Sequence, residues 1–304
     1  MRGLDLRIHV WLTAFQKDVD GRVKPGHDEK NGATMHDDDD TPAHCGTGKT
    51  RLYVDAAMAA GGDVALDKDQ SHYLINVLRM GEGERVLVFN GRDGEWAAEI
   101  AEASKKAAVL RVIERTRAHQ PLPDIWLLFA PVKRARLDFI AQKATEMGAS
   151  MIQPVITHRT VVSRVKDQRL QANVIEAAEQ CGLVALPEVR EAEKLDGLLA
   201  HWSKQGGAGK EGTEREAPRR ILFCDEAAAP GDAKATLERL AAEGGRGAPW
   251  ALLIGPEGGF DAEERAKLHA RKDTVAISLG PRILRADTAA IAALAAVQMV
   301  LGDW

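Results

Sequence analysis

Between Arg51 and Arg117 the apolar positions fall in short alternating runs; beyond Pro123 they form longer blocks that switch between strand-like and helix-like periods. The first region reads RLYV, then a helix-like SHYLINVLRM, then ERVLVFNGRDGEWAAEI and AAVLRVIER, with turns at GEGE and NGRDG. This predicts a small β-barrel-like module over residues 49–120. Gln120, Pro121 and Pro123 break the pattern and mark a boundary. In residues 121–304 the strand-like runs IWLLFAP, MIQPVIT, ILFC, ALLI and VAISL alternate with helical stretches, which predicts an α/β domain with a mainly parallel sheet. A helix over residues 136–147 places Leu137, Ile140, Ala141, Ala144 and Met147 on one stripe, flanked by Arg136 and Lys143. The closing helix, residues 289–301, has Gln298 as its single polar residue. A helix apolar on every side is expected to be buried on every side, here against its own sheet and a second copy in a homodimer.

The first 48 residues lack such periodicity. They mix Gly, Pro, His and charge, run into four aspartates at residues 37–40, and are expected to form a disordered or poorly ordered extension. Met35 is an alternative start. The run AHCGTGKT, residues 43–50, imitates a phosphate-binding loop, but an acidic segment precedes it and the strand-like RLYVDA follows. A phosphate loop needs a strand before it and a helix N-terminus after it, so the match is rejected. Between His201 and Arg220, SKQGGAGKEGTEREAPR reads as a surface insertion.

Composition narrows the functional classes. The chain has 304 residues, 45% hydrophobic, enough for two domains with real cores. No apolar stretch approaches membrane-spanning length and no leader pattern is visible, so a cytoplasmic protein is expected. Cys45, Cys181 and Cys224 are too scattered for a disulfide framework or a metal site, and no metal is expected. The net charge of −4 gives no general attraction to nucleic acid, so any RNA surface must be local. Such a strip lies between Lys133 and Arg169, where Lys133, Arg134, Arg136, Lys143, Arg159, Arg164, Lys166 and Arg169 outnumber Asp138, Glu146 and Asp167.

Two loops carry the chemistry. LLIGPEGGF, residues 252–260, and LGPRILRADTA, residues 279–289, each join a predicted strand to a predicted helix, where ligands of open α/β sheets bind. Glycines at 255, 258, 259 and 280 permit close approach, Ile283 and Leu284 suit an adenine ring, and Asp261 reads as a helix N-cap.

Together these loops resemble the paired C-terminal motifs of the SPOUT methyltransferases. With SHYLINVLRM, KRARLDFIAQKATEMGA, HRTVV and IEAAEQCGLVALPEV, the chain from about Arg51 to Trp304 resembles the ribosomal RNA small subunit methyltransferase E family. The resemblance implies a PUA-like RNA-binding barrel followed by a trefoil-knotted, dimeric α/β domain that binds S-adenosylmethionine and methylates uridine N3 in 16S rRNA or the assembled small ribosomal subunit. The knot comes from the family, because pattern alone draws an unknotted sheet. Carried over, the cofactor residues are Ile254, Gly255, Pro256, Gly258, Leu279, Gly280, Ile283 and Leu284, with the strand end at residues 223–226, Phe223 and Asp225 above all, as a weaker third wall. Arg285 would stabilise the uridine anion, Glu146 or Glu257 would take the proton, and Arg79, Lys133, Arg136, Lys143 and Arg159 would face RNA. Two positions depart from the family pattern: Leu183 stands where arginine is usual, and RADTA replaces RTETA, leaving Asp287 as a shorter expected N-cap. The competing reading is a non-catalytic RNA-binding protein with a degenerate cofactor loop. A dinucleotide oxidoreductase is disfavoured because no GxGxxG opens a βαβ unit.

Overall fold

The computed structural model describes residues 50–162, 165–204, 218–228 and 233–304. The expected N-terminal extension, all but the last residue of the AHCGTGKT run, Arg164 and most of the insertion after His201 lie outside these residues.

The first module is a sheet of β1 (Arg51–Tyr53), β2 (Asp63–Ala65), β3 (Arg85–Phe89), β4 (Glu95–Glu102) and β5 (Val109–Arg117) in the order β1-β3-β4-β5-β2. β1 runs parallel to β3 and the other pairs are antiparallel. Alternating residues such as Val86, Val88, Ile100, Leu110 and Val112 meet Leu52, Val64 and Leu74 in one core. The SHYLINVLRM segment is helical as expected: α1 (Lys68–His72) starts from an Asp67–Gln70 capping box and continues as a wider turn over Tyr73–Val77. The expected barrel-like module is present, its five strands forming a half-barrel. Its edge strands, β1 and β2, are three residues each and lie at opposite ends of the order, so neither supplies a ladder long enough to close the ring.

The second module holds β6 (Ile125–Phe129), β7 (Met151–Ile156), β8 (Glu188–Val189), β10 (Arg220–Cys224), β11 (Trp250–Ile254) and β12 (Thr274–Ile277) in the order β12-β10-β11-β6-β7-β8. A short β9 (Glu193–Lys194) also pairs with β7, and every pairing is parallel. β6 and β11 are buried at every position, as strands covered on both faces must be. Alternation sends Leu127, Leu222 and Leu252 into one core with α2 (Arg134–Glu146), α3 (Asp167–Cys181) and α7 (Ala286–Leu301). It sends Leu128, Phe223 and Leu253 into the other, with α4 (Leu195–Ala200) and α6 (Ala262–His269). The remaining helix, α5 (Ala233–Leu240), packs beside α7.

α2 begins two residues before the expected start and buries Leu137, Ile140, Ala141 and Ala144, with Met147 partly buried against them. α7 also begins early, capped by the backbone of Arg285. Asp287 is therefore not the N-cap but a first-turn residue, whose Oδ1 accepts from Thr288 N at 3.0 Å. Gln298 is fully buried and donates to the Met147 carbonyl at 2.6 Å, tying the closing helix to the end of α2. The other face of α7 stays open within one chain: Ile291, Ala292 and Ala295 are half-buried and Met299 is exposed. Among the described residues no helix is long and apolar enough to cross a membrane.

Candidate functional site

The strand order puts β10 between β11 and β12, so the chain steps from β10 to β11 and then back past β10 to β12. Reversals of this kind open a crevice at the carboxyl ends of the strands. The loops leaving β10, β11 and β12 converge there around a cavity of about 250 Å³. The first two ends are level, because Cys224 pairs with Ile254 in register.

Of the expected cofactor residues, Ile254, Gly255, Pro256, Leu279, Gly280, Ile283, Leu284 and Asp225 line this cavity. Phe223 and Gly258 do not. Phe223 is wholly buried one position before the strand end, edge-on to Phe260 and His269 with ring centroids 4.9 and 5.6 Å away. Gly258 is exposed and its carbonyl accepts from Arg159 Nη1 at 2.8 Å. Arg285 is exposed beside the lining residues Leu284 and Ala286, and its guanidinium has no partner among the described residues. Cys224 and Glu226, from the strand end read as a third wall, also line it, and Ser278, Arg282 and Ala289 join the wall without having been named for it. Arg282 and Ala289 lie within the second motif, whereas Ser278 precedes it.

The glycines make room for the protein's own side chains. A Cβ on Gly255 would sit 2.6 Å from the Phe260 ring, which is buried beneath the loop. Gly259 has φ 67°, and a Cβ there would meet the Glu226 carboxylate. Bringing Phe260 and Glu226 against the backbone shapes the wall.

Asp225 supplies a buried charge with its partners already in place. Burial alone would raise its pKa, but hydrogen bonds from Arg265, His269 and the Ala227 N–H hold it below the ordinary carboxylate value. Arg265 Nη2 and His269 Nε2 lie 2.9 Å from Oδ2. Cys224, buried at the strand end, has its thiol pushed up to about 12 by burial and stays protonated.

Three ligand-type side chains, His158, Asp261 and Glu264, gather at the start of α6, their ligand atoms within 4.8 Å of one another. They are engaged with the chain itself. Asp261 and Glu264 form the capping box expected from the sequence, Glu264 also accepts from His158 N at 2.8 Å, and the His158 ring pairs with Asp261. The Asp261 hydrogen bond, with charge from Glu264 and Asp261, raises the His158 pKa.

The basic strip is more heavily paired than a count along the chain suggests. Arg136 reaches Glu257 at 3.4 Å and Asp287 at 3.7 Å, Lys143 binds Glu146 at 2.7 Å, and Arg169 forks onto Asp138. Arg136 and Arg159 thus brace the loops around the cavity. Lys133 and Arg79 are exposed, the latter in the left-handed region at φ 59°.

Residues 118–298 match the RNA methyltransferase domain family, and residues 66–113 match the RNA methyltransferase PUA domain family. Fold and cavity together define the class: an RNA methyltransferase domain carrying a PUA module. The chain is 30% identical over 252 residues to the ribosomal RNA small subunit methyltransferase E of Rickettsia conorii, covering 82% of this chain and 95% of that relative. It belongs to the ribosomal RNA small subunit methyltransferase E family. Among solved structures, a putative methyltransferase from Legionella pneumophila in complex with the cofactor SAM superposes with a TM-score of 0.69 at 28% identity, covering 83% of this chain and 98% of that one. The ribosomal RNA small subunit methyltransferase E of Neisseria gonorrhoeae, bound to S-adenosyl methionine, gives 0.69 at 27% identity, covering 84% and 99%.

Proposed function

We propose that this chain is an S-adenosylmethionine-dependent ribosomal RNA methyltransferase that modifies N3 of a uridine in the small subunit. The cavity formed where three strand ends meet, inside a segment that matches the RNA methyltransferase domain, carries the reading. Its donor set suits the cofactor. Ile254, Leu279, Ile283 and Leu284 offer apolar surface for an adenine, while Ser278, Glu226 and the loop backbone offer polar partners for a ribose and an amino acid. S-adenosylmethionine supplies a methyl group activated by a sulfonium.

The protein must present and deprotonate the acceptor. Uridine N3 carries a weakly acidic imide proton on its Watson–Crick face, so the base has to be unpaired before it can enter. Arg285, without a partner among the described residues at the start of α7, stabilises the negative charge that develops on the base. Of the two candidate carboxylates both are ion-paired, Glu257 with Arg136 at 3.4 Å and Glu146 with Lys143 at 2.7 Å, but Glu257 lines the cavity and Glu146 does not. Glu257 takes it. Lys133 and Arg79 hold phosphates, with the PUA module of residues 49–120 positioning the RNA for the methyltransferase unit of residues 121–304. The latter is read as trefoil-knotted and as dimerising through the open face of α7, where Ile291, Ala292, Ala295 and Met299 find cover. Its place of work is the cytoplasm, with its ribosomal substrate.

Calorimetry tests the reading directly: S-adenosylmethionine is expected to bind the wild-type chain and Arg285→Ala alike. Removing that guanidinium should slow single-turnover methylation by about 100-fold, the scale of losing one donor to a developing oxyanion. Equal rates would remove Arg285 from the chemistry, and absence of cofactor binding would favour a non-catalytic RNA-binding protein.

A further inference from the structure

The two modules meet at a buried charge cluster remote in sequence from both cofactor loops. Glu95 opens β4 with a side chain only 4% exposed. A carboxylate that deep costs several kcal/mol unless it is paired and hydrogen-bonded. Arg51 Nε and Arg117 Nη2 both donate to Oε2, at 2.7 and 2.6 Å, while Arg117 Nε and the Thr116 hydroxyl reach Oε1 at 2.9 and 3.0 Å. Burial raises the Glu95 pKa, yet the two guanidinium groups hold it below its ordinary value, so the carboxylate is ionised at neutral pH.

The same two arginines then cross to the other module. Arg51 Nη1 donates to the carbonyls of Ala178 and Glu179 at 2.6 and 2.9 Å, and Nη2 to that of Leu183 at 2.7 Å. Arg117 Nη2 donates to the Gly182 carbonyl at 2.8 Å. These oxygens belong to the carboxyl end of α3, its left-handed cap Gly182 and the residue after it, where the helix-end carbonyls concentrate the negative end of the helix dipole. Tyr53 N adds a bond to Glu179 Oε1 at 2.8 Å, and Arg51 lies 4.5 Å over the Phe89 ring. Each guanidinium is therefore divided between an anion in one module and helix-end carbonyls in the other.

We propose that Arg51, Glu95 and Arg117 form a latch that fixes the PUA sheet against the end of α3, making them positioning residues for the RNA in the methylation reaction. The proposal rests on the RNA-methylation reading above. Interfaces between domains of one chain resemble transient contacts, so relative motion is the default unless something specific holds them. Two modules that grip one RNA gain from each other only when their spacing matches the distance between their binding points on it. The latch supplies that spacing, and it requires arginine, because a lysine has one nitrogen where Arg51 uses three.

The test uses the full chain and two conservative variants, Arg51→Lys and Arg117→Lys; the second changes a half-open side chain and is the milder of the two. Hydrogen exchange at the Tyr53 amide reports the latch without reference to activity. In both variants this amide is expected to exchange faster while those of β6 and β11 keep their protection, and KM for small subunits is expected to rise about tenfold with kcat and S-adenosylmethionine affinity held. Unchanged exchange overturns the latch. Faster exchange with unchanged KM, or kcat and cofactor affinity falling together with KM, overturns the positioning role. If the wild-type chain methylates no RNA, the functional reading fails together with the positioning role, while the exchange result still decides whether the latch exists.

Discussion

Two buried carboxylates in this protein do opposite work with similar partners. Asp225 sits at the end of β10 beside the cavity, held by Arg265 and His269 from the single helix α6. Glu95 sits in the PUA sheet, held by arginines from β1 and β5 whose remaining nitrogens reach across to α3. The first pair closes on itself and stiffens one wall. The second is shared between two modules, so its geometry sets an orientation. A buried ion pair adds little stability by itself; its value lies in where its unused donors point.

The largest expected effect comes from Glu95→Ala, which leaves two guanidinium groups facing each other without their anion. It should cost about 3–5 kcal/mol in chemical denaturation, the usual loss for a broken buried pair. Asp225→Asn should cost less, about 1–2 kcal/mol, because Arg265 and His269 are 31% and 47% exposed and can turn to water. Equal losses at the two sites would erase the distinction drawn between them. On the cavity side, Gly259→Ala places a Cβ in the left-handed region against Glu226 and should lower stability by about 1–2 kcal/mol, with weaker cofactor binding in calorimetry.

The smallest effect concerns pH. Glu179, behind the latch, has its carboxyl raised to about 6, chiefly by burial. A folded-state value above the unfolded one means that this group adds stability below about pH 4.5, and that the contribution is lost as pH rises through about 6. Glu179→Gln should therefore flatten the change in thermal midpoint over that interval. An unchanged slope would assign it to another group.

What was legible in the sequence was local. Each of the two loops around the cavity is a contiguous stretch, and the Asp261–Glu264 capping box spans three positions, so their residues could be read side by side. The latch could not be read this way. Arg51 and Glu95 are 44 positions apart, Glu95 and Arg117 22, and their other acceptors are main-chain carbonyls, which leave no mark on residue type. Leu183 contributes to the latch through its carbonyl. Counting charges along the chain overstated the basic strip for the same reason: the acids that pair with Arg136 arrive from a loop and a helix start more than a hundred positions away. Asp287, taken as a cap, was one of those acids.

The open β1 and β2 edges and the early start of α7 have a similar origin, since strand closure and helix entry depend on what the neighbouring elements leave available. The glycines taught a further point. Gly255 was readable as a place needing space, but the occupant of that space is Phe260, five positions along the same chain.

The central claim is tested most directly by incubating the chain with methyl-labelled S-adenosylmethionine and small ribosomal subunits from cells lacking it, then mapping the label by mass spectrometry. The account predicts label on N3 of one 16S rRNA uridine. Label on another atom or another RNA, or none while the cofactor binds, would contradict it.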